Sequence, residues 1–167
     1  MTIVVTVRVN DGIVLAADSA TSFIDSTGHV AKIYNNANKI FNLVKVWPLG
    51  SMTYGAGGIG SASISTLSKD LRNKLTPRGP ISDPLVLDRN QYTVEEVAQK
   101  AKEFFDECYR AAYPNPIPEF FLGYRVCGYS AAGVLPEAWE IRIRGANWEG
   151  PEQLYPDEIF GPRSAFP

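Results

Sequence analysis

The chain has 167 residues, of which 45% are hydrophobic and 20% charged, proportions typical of one globular domain. Sixteen Lys and Arg residues nearly balance 18 Asp and Glu residues, so the net charge of −2 points to neither a nucleic acid nor an anionic membrane as partner. Two cysteines without a CxxC motif and a single histidine exclude a zinc knuckle, a disulfide framework and most histidine-dependent chemistry.

The sequence also lacks the signals of secretion or membrane insertion. Its first residues have neither the basic region nor the apolar region of a signal peptide, and no apolar run reaches the roughly 18 residues of a membrane span. We therefore expect a cytoplasmic protein with a single domain over residues 1–167.

The first 18 residues predict a β-hairpin. Thr2–Val9 is rich in β-branched residues, Asn10-Asp11-Gly12 is a turn signal, and residues 13–18 form the return strand. That return strand is apolar on both faces, which predicts a central strand covered on both sides. Counted from the turn, Thr2 and Asp18 stand at similar distances, so the register predicts that they lie close together.

The remaining elements predict an α+β fold with mainly antiparallel strands. Apolar residues at helical spacing predict helices over 61–75 and 93–112, the second with a Thr93–Glu96 capping box. Alternation of Glu140 and Arg142 with isoleucines predicts a solvated face on the last strand. Residues 76–92 and the proline-containing tail from Asn147 predict no regular element. The other predicted strands cover 39–44, 51–56, 119–129 and 138–144.

Thr2 is a candidate nucleophile because it directly follows the initiator Met1. Removal of Met1 would give Thr2 a free α-amine, whose pKa of about 7.7–8.0 in model peptides suits a general base at neutral pH. A threonine activated by its own amine needs no histidine. Met-Thr also begins many unrelated proteins, and a retained Met1 would block the amine.

Asp18 and Lys39 are the candidate partners of Thr2. A lysine paired with Asp18 beside an amine would hold the pKa of that amine down, because two neighbouring cations repel. Each residue also has an ordinary interpretation, Asp18 as a loop-capping carboxylate and Lys39 as a surface lysine at a strand end.

The glycine-rich segment Gly55–Gly60 permits two interpretations. Its G-x-G-x-x-G pattern between a strand and a helix is that of a dinucleotide-binding loop, which requires a parallel βαβ unit. The same segment can instead present backbone N–H groups to an oxyanion.

Taken in order, Thr2, the strand-turn-strand V-N-D-G-I-V-L-A-A-D-S, K-I-F-N-L and M-T-Y-G-A-G-G-I-G-S-A resemble a proteasome β-type subunit of the N-terminal-nucleophile hydrolases, in a style similar to the bacterial proteasome-like peptidases. The resemblance is specific over residues 2–18 and 39–62. It implies a four-layer αββα sandwich with two mainly antiparallel sheets and no metal or cofactor.

The resemblance also implies the roles of individual residues. The catalytic threonine is Thr2, supported by Asp18 and Lys39, with Lys32 as a rival for the lysine. Gly57 supplies the oxyanion hole, and substrate pairing involves Gly55 together with Thr21 or Ser22. A peptide or an unfolded protein is the implied substrate, stacked homo-oligomeric rings the implied assembly, and an ATPase a possible partner.

Two features depart from the family pattern. The chain stops near the point where the family continues with further strands and helices, so we expect a domain that is incomplete at its C-terminus. The chain also includes Met1, which blocks the Thr2 amine if it is retained. A non-catalytic ring subunit that keeps Met1 is therefore the first alternative function, and a dinucleotide-binding module using Gly55–Gly60 is the second.

Overall fold

The computed structural model describes residues 2–24, 30–34, 36–77, 85–157 and 161–162; for 21–24, 30–34, 156–157 and 161–162 it describes the backbone only. The two helices are α1 (Ile64–Leu75) and α2 (Val94–Ala112). The strands are β1 (Val4–Val9), β2 (Gly12–Ala17), β3 (Thr21–Ile24), β4 (Val30–Tyr34), β5 (Ile40–Asn42), β6 (Leu49–Gly55), β7 (Gly58–Ile59), β8 (Ala62–Ser63), β9 (Phe121–Gly128), β10 (Glu137–Arg144), β11 (Asn147–Gln153), β12 (Pro156–Asp157) and β13 (Gly161–Pro162).

A five-stranded sheet with the order β11-β10-β9-β6-β5 forms the centre of the molecule. Every strand pairing in the described part of the chain is antiparallel, which confirms the α+β fold with mainly antiparallel strands. Four two-stranded pairings, β1-β2, β3-β4, β7-β8 and β12-β13, accompany this sheet.

Both helices pack on one face of the central sheet. The Phe105 ring of α2 lies 4.7 Å from the Tyr124 ring of β9, and the Tyr124 hydroxyl donates to Ser68 of α1 at 3.2 Å. The apolar residues that predicted each helix are mostly buried against this face, including Leu71 and Val97, both at 0% exposure. Burial of these faces stabilises the helices more than their intrinsic propensity does.

Helix α2 begins at its predicted N-cap. The Thr93 hydroxyl accepts from the Glu96 N–H at 3.0 Å, while the Glu96 carboxylate pairs with Lys100 at 3.1 Å. Neither helix of the described residues is long and apolar enough to cross a membrane.

The β1–β2 hairpin covers the opposite face of the central sheet. Thr6 of β1 contacts Met52 of β6 at 3.3 Å between Oγ1 and Sδ, and Arg125 of β9 donates to Thr6 Oγ1 at 3.2 Å. Tyr124 and Arg125 are neighbours on β9, and because successive side chains alternate, one faces the helices and the other faces the hairpin. The described part of the chain therefore forms three layers: helices, sheet and hairpin.

Two details of the hairpin differ from the prediction. The last pair is Val9 with Gly12, so Asn10 and Asp11 form the turn and Gly12 belongs to β2. Neither turn residue has a positive φ, so the turn does not have the primed geometry that Asp-Gly favours.

The prediction that β2 is a central strand covered on both sides is wrong for the described residues. β2 pairs only with β1, and Val14 is 62% exposed. The outer face of this hairpin also exposes Ile3, Val7 and Val9. Apolar side chains on both faces of the strand therefore did not mean that both faces are covered within this chain.

The prediction of a solvated face on strand β10 also needs correction. Glu140 is only 2% exposed, and Arg142 is 27% exposed, because the hairpin side of the sheet is covered. The predicted solvated face is therefore partly buried.

Two segments contain more strand than the sequence pattern predicted, which was a loop with at most one short strand for residues 19–38 and no regular element for the tail. Residues within 19–38 form the β3–β4 hairpin, and the tail adds β11 to the edge of the sheet beside β10. Gly145, with φ +58°, allows the tight turn that directs β11 back along β10.

Candidate active site

The open end of the β1–β2 hairpin brings Thr2 and Asp18 together. Beyond the last strand pair, Val4 with Ala17, the Asp18 N–H donates to the Ile3 carbonyl at 3.1 Å. In return, the Ile3 N–H donates to Asp18 Oδ1 at 2.9 Å. These bonds hold the Asp18 carboxylate beside the start of β1, which confirms the proximity expected from the hairpin register.

Lys39 reaches the same point from the central sheet. Its Nζ donates to Asp18 Oδ1 at 3.0 Å and to Thr2 Oγ1 at 3.3 Å, and also to the carbonyl oxygen of Ala20. The Thr53 N–H donates to the Lys39 carbonyl at 3.0 Å, which anchors its backbone to β6. Lys39 is 7% exposed, so its ammonium group sits in a largely enclosed position with three oxygen acceptors. The structure thus joins Thr2, Asp18 and Lys39 into one cluster, which we call the Thr2 cluster.

The electrostatics of the Thr2 cluster favour an ionised Asp18. Partial desolvation raises the pKa of Asp18, but the hydrogen bond from Lys39, the Ile3 N–H and the positive charge of Lys39 together lower that pKa below its usual value. Asp18 is therefore a carboxylate at neutral pH. It holds the Lys39 side chain against the Thr2 hydroxyl.

The glycine-rich loop continues from the end of β6, the strand that anchors Lys39. The first residue of α1 donates from the Ile64 N–H to the Gly57 carbonyl at 3.0 Å, which anchors the Gly57–Gly58 peptide to the start of the helix. Gly57 is exposed, and no hydrogen bond to its N–H is found among the described residues. This N–H can therefore donate to a ligand.

Packing explains two other glycines of this loop. Gly55 has φ +88°, and a Cβ there would lie 2.5 Å from the Phe121 carbonyl oxygen; Gly60 has φ +58°, and a Cβ there would lie 2.9 Å from the Ala112 Cβ. β6 is antiparallel to both of its neighbours, so the loop does not belong to the parallel βαβ unit that a dinucleotide fingerprint requires.

For four residues that the sequence analysis singled out, the structure does not describe the side chain. Thr21 and Ser22 lie on β3 and Lys32 lies opposite Phe23 on β4, but their side chains are outside the described residues, as is Met1. The choice of Lys39 therefore depends on its own contacts with Asp18 and Thr2.

Tyr54, Arg125 and Glu140 form a cluster between the hairpin and the sheet that the sequence pattern did not predict. We call it the interlayer cluster. Arg125 Nε lies 2.6 Å from Glu140 Oε1, with 0% and 2% exposure, and the Tyr54 hydroxyl donates to the same oxygen at 2.9 Å. Burial, followed by the negative charge and the hydrogen bond of Glu140, raises the pKa of Tyr54 to about 12. One signal was present, since Arg125 interrupts an otherwise apolar strand.

Comparison of the chain with protein-family models and with curated proteins gives no match. The Thr2 cluster offers a hydroxyl, a nearby ammonium group and an ionised carboxylate. This combination supports nucleophilic attack by Thr2 if Thr2 is the first residue of the mature chain.

Proposed function

We propose that this chain is an N-terminal threonine hydrolase of amide bonds, most similar in design to the proteasome-like peptidases. The observation that carries the proposal is the position of Lys39 Nζ, 3.3 Å from Thr2 Oγ1 and 3.0 Å from Asp18 Oδ1. Three residues far apart in sequence meet at the N-terminal end of a strand. A largely buried lysine that touches a threonine hydroxyl there has a direct chemical use.

The proposed reaction begins when Thr2 Oγ attacks the scissile carbonyl carbon. The Thr2 amine takes the hydroxyl proton, and the Gly57 N–H donates to the resulting oxyanion, a contact worth about 3–4 kcal/mol in comparable sites. The intermediate collapses as the amine passes the proton to the departing nitrogen, which leaves an ester on Thr2. Water then attacks the ester with the amine as base, and the product acid leaves.

Lys39 contributes through its charge. A cation close to the Thr2 amine disfavours protonation of that amine, so a larger fraction remains a free base at neutral pH. Asp18 keeps this ammonium group in place, and the three oxygens around Nζ restrict its movement. Neither residue needs to exchange a proton during the reaction.

The proposal extends to a fourth layer of the fold and to an oligomeric assembly. The exposed apolar side chains of Ile3, Val7, Val9 and Val14 lie on the outer face of the hairpin, which suits coverage by a fourth, helical layer in an αββα sandwich. We further propose a cytoplasmic cyclic homo-oligomer of stacked rings that cleaves peptides or unfolded proteins, with an ATPase as a partner. Phe104, Phe105 and Tyr109 of α2, apolar residues that an interface between subunits could otherwise use, are buried in the core of this chain.

The direct test is covalent labelling of the mature N-terminus. Purified protein is treated with an electrophile that reacts with both the hydroxyl and the amine of an N-terminal threonine, and the adduct is located by peptide mass spectrometry. We expect the label on Thr2 in the wild type and in Thr2→Ser, and none in Thr2→Ala. A mature chain that begins with Met1 and takes no label would favour the non-catalytic ring subunit.

A further inference from the structure

We propose that the interlayer cluster is a positioning device that sets the distance between Lys39 and Thr2. Arg125 is its central member, because the guanidinium contacts Glu140 through Nε and Thr6 through Nη1. This inference rests on the proposed function and adds a specific role for residues that do not touch the reacting atoms.

The Thr2 cluster is assembled from two layers of the molecule. Thr2 and Asp18 belong to the hairpin layer, whereas Lys39 belongs to the sheet layer. The 3.3 Å contact between Lys39 Nζ and Thr2 Oγ1 therefore depends on how the hairpin sits on the sheet.

Thr6 is the contact through which the interlayer cluster holds the hairpin. It is 2% exposed, and its Oγ1 accepts from Arg125 Nη1 at 3.2 Å and lies 3.3 Å from Met52 Sδ. Met52 pairs with Ile40, the residue next to Lys39. A short path thus connects Arg125, through Thr6, to both partners of the contact.

The cluster is also held rigidly on the sheet side. Glu140 lies opposite Arg125 on the neighbouring strand, and it accepts from Tyr54, while Arg142 Nε lies 3.5 Å from its second oxygen. Directional hydrogen bonds of this kind fix one position of the hairpin on the sheet. Apolar contacts alone restrict that position less. Misplacement by about 1 Å can cost about 10²-fold in rate.

The test uses three variants in which few atoms change. Thr6→Val keeps the shape but removes the acceptor, Thr6→Ser keeps the acceptor, and Tyr124→Phe is the control. Tyr124 is the buried neighbour of Arg125 whose hydroxyl bonds to Ser51 and Ser68 on the helix side of the sheet. Activity on a fluorogenic peptide is measured against pH where circular dichroism shows every variant folded.

We expect Thr6→Val to lower kcat about tenfold, within the range that misplacement causes, with little change in KM. The rising limb of its kcat/KM profile should move to higher pH, because Lys39 is less well placed beside the Thr2 amine. Thr6→Ser should restore the wild-type profile. Tyr124→Phe should lower the melting temperature and leave the pH profile unchanged.

A second readout does not require activity. In an NMR spectrum of ¹⁵N-lysine-labelled protein, the Lys39 ammonium protons should exchange with water faster in Thr6→Val than in the wild type or in Tyr124→Phe. Unchanged exchange and an unchanged pH profile in Thr6→Val would overturn the positioning role. An inactive wild type that takes no label at Thr2 would overturn the proposed function instead, and the exchange rates would still show whether the interlayer cluster holds Lys39.

Discussion

Replacing Lys39 by methionine tests the electrostatic part of the mechanism. Methionine keeps an unbranched side chain of similar length in the enclosed position but removes the charge 3.3 Å from Thr2 Oγ1. The Thr2 amine is attached to the carbon next to the hydroxyl-bearing carbon, so we take a separation of about 5 Å between Nζ and the amine for an order-of-magnitude calculation. At that separation two unit charges repel by about 0.8 kcal/mol in bulk water and about 3.3 kcal/mol at an effective dielectric constant of about 20.

These energies translate into a shift in the pH profile. One pKa unit corresponds to about 1.4 kcal/mol, so loss of the Lys39 charge should raise the pKa of the Thr2 amine by about 0.6 to 2.4 units. The sign is definite, because removing a cation favours protonation, and the Asp18 carboxylate left behind favours it further. The rising limb of kcat/KM should move to higher pH by the same amount.

The assay is kcat/KM on a fluorogenic peptide across the pH range in which the protein stays folded, with Lys32→Met as the matched control. We expect the Lys32→Met profile to match that of the wild type. The reasoning is refuted if Lys39→Met keeps the wild-type profile while Lys32→Met is inactive, since the catalytic lysine would then be Lys32.

Three further predictions concern Thr2, Asp18 and the oligomeric state. Thr2→Ala should abolish hydrolysis and leave the melting temperature nearly unchanged, because a half-buried threonine before the first strand contributes little packing; wild-type activity in this variant would exclude Thr2 as the nucleophile. Because the folded-state pKa of Asp18 is lowered, its contribution to stability is present above the unfolded value of 3.8 and is lost as the pH falls through the folded pKa. Urea unfolding below pH 4 should therefore depend less on pH in Asp18→Asn than in the wild type, and equal slopes would contradict the pairing. Light scattering at micromolar concentration should give the mass of a closed ring, and a monomer mass would count against the proposed assembly.

Most strands and both helices of this chain could be predicted from the sequence, because they depend on local periodicity. β-branched residues with a turn signal predicted the first hairpin, and apolar residues three and four apart predicted both helices. The hairpin also brought Thr2 and Asp18 together, because in an antiparallel pair the distance from the turn determines which residues face each other.

Contacts between distant segments could be decided only by the tertiary structure. The sequence offered Lys32 and Lys39 as candidate partners of Asp18, and the structure describes a contact at 3.0 Å between Lys39 Nζ and Asp18 Oδ1, two residues 21 positions apart in the chain. The burial of Glu140 also depends on a contact between distant segments. Its alternation with isoleucines predicted a strand with one solvated face, but in the structure the hairpin covers that face.

The pairing of Arg125 with Glu140 shows the physical reason for this division. A charged residue in a strand is stable in the interior only when a partner on another strand satisfies it, and that partner is determined by strand order and register rather than by neighbouring residues. Local spacing therefore determined the elements of this protein and one side of its candidate site. The stacking of the hairpin on the sheet decided which distant side chains complete that site.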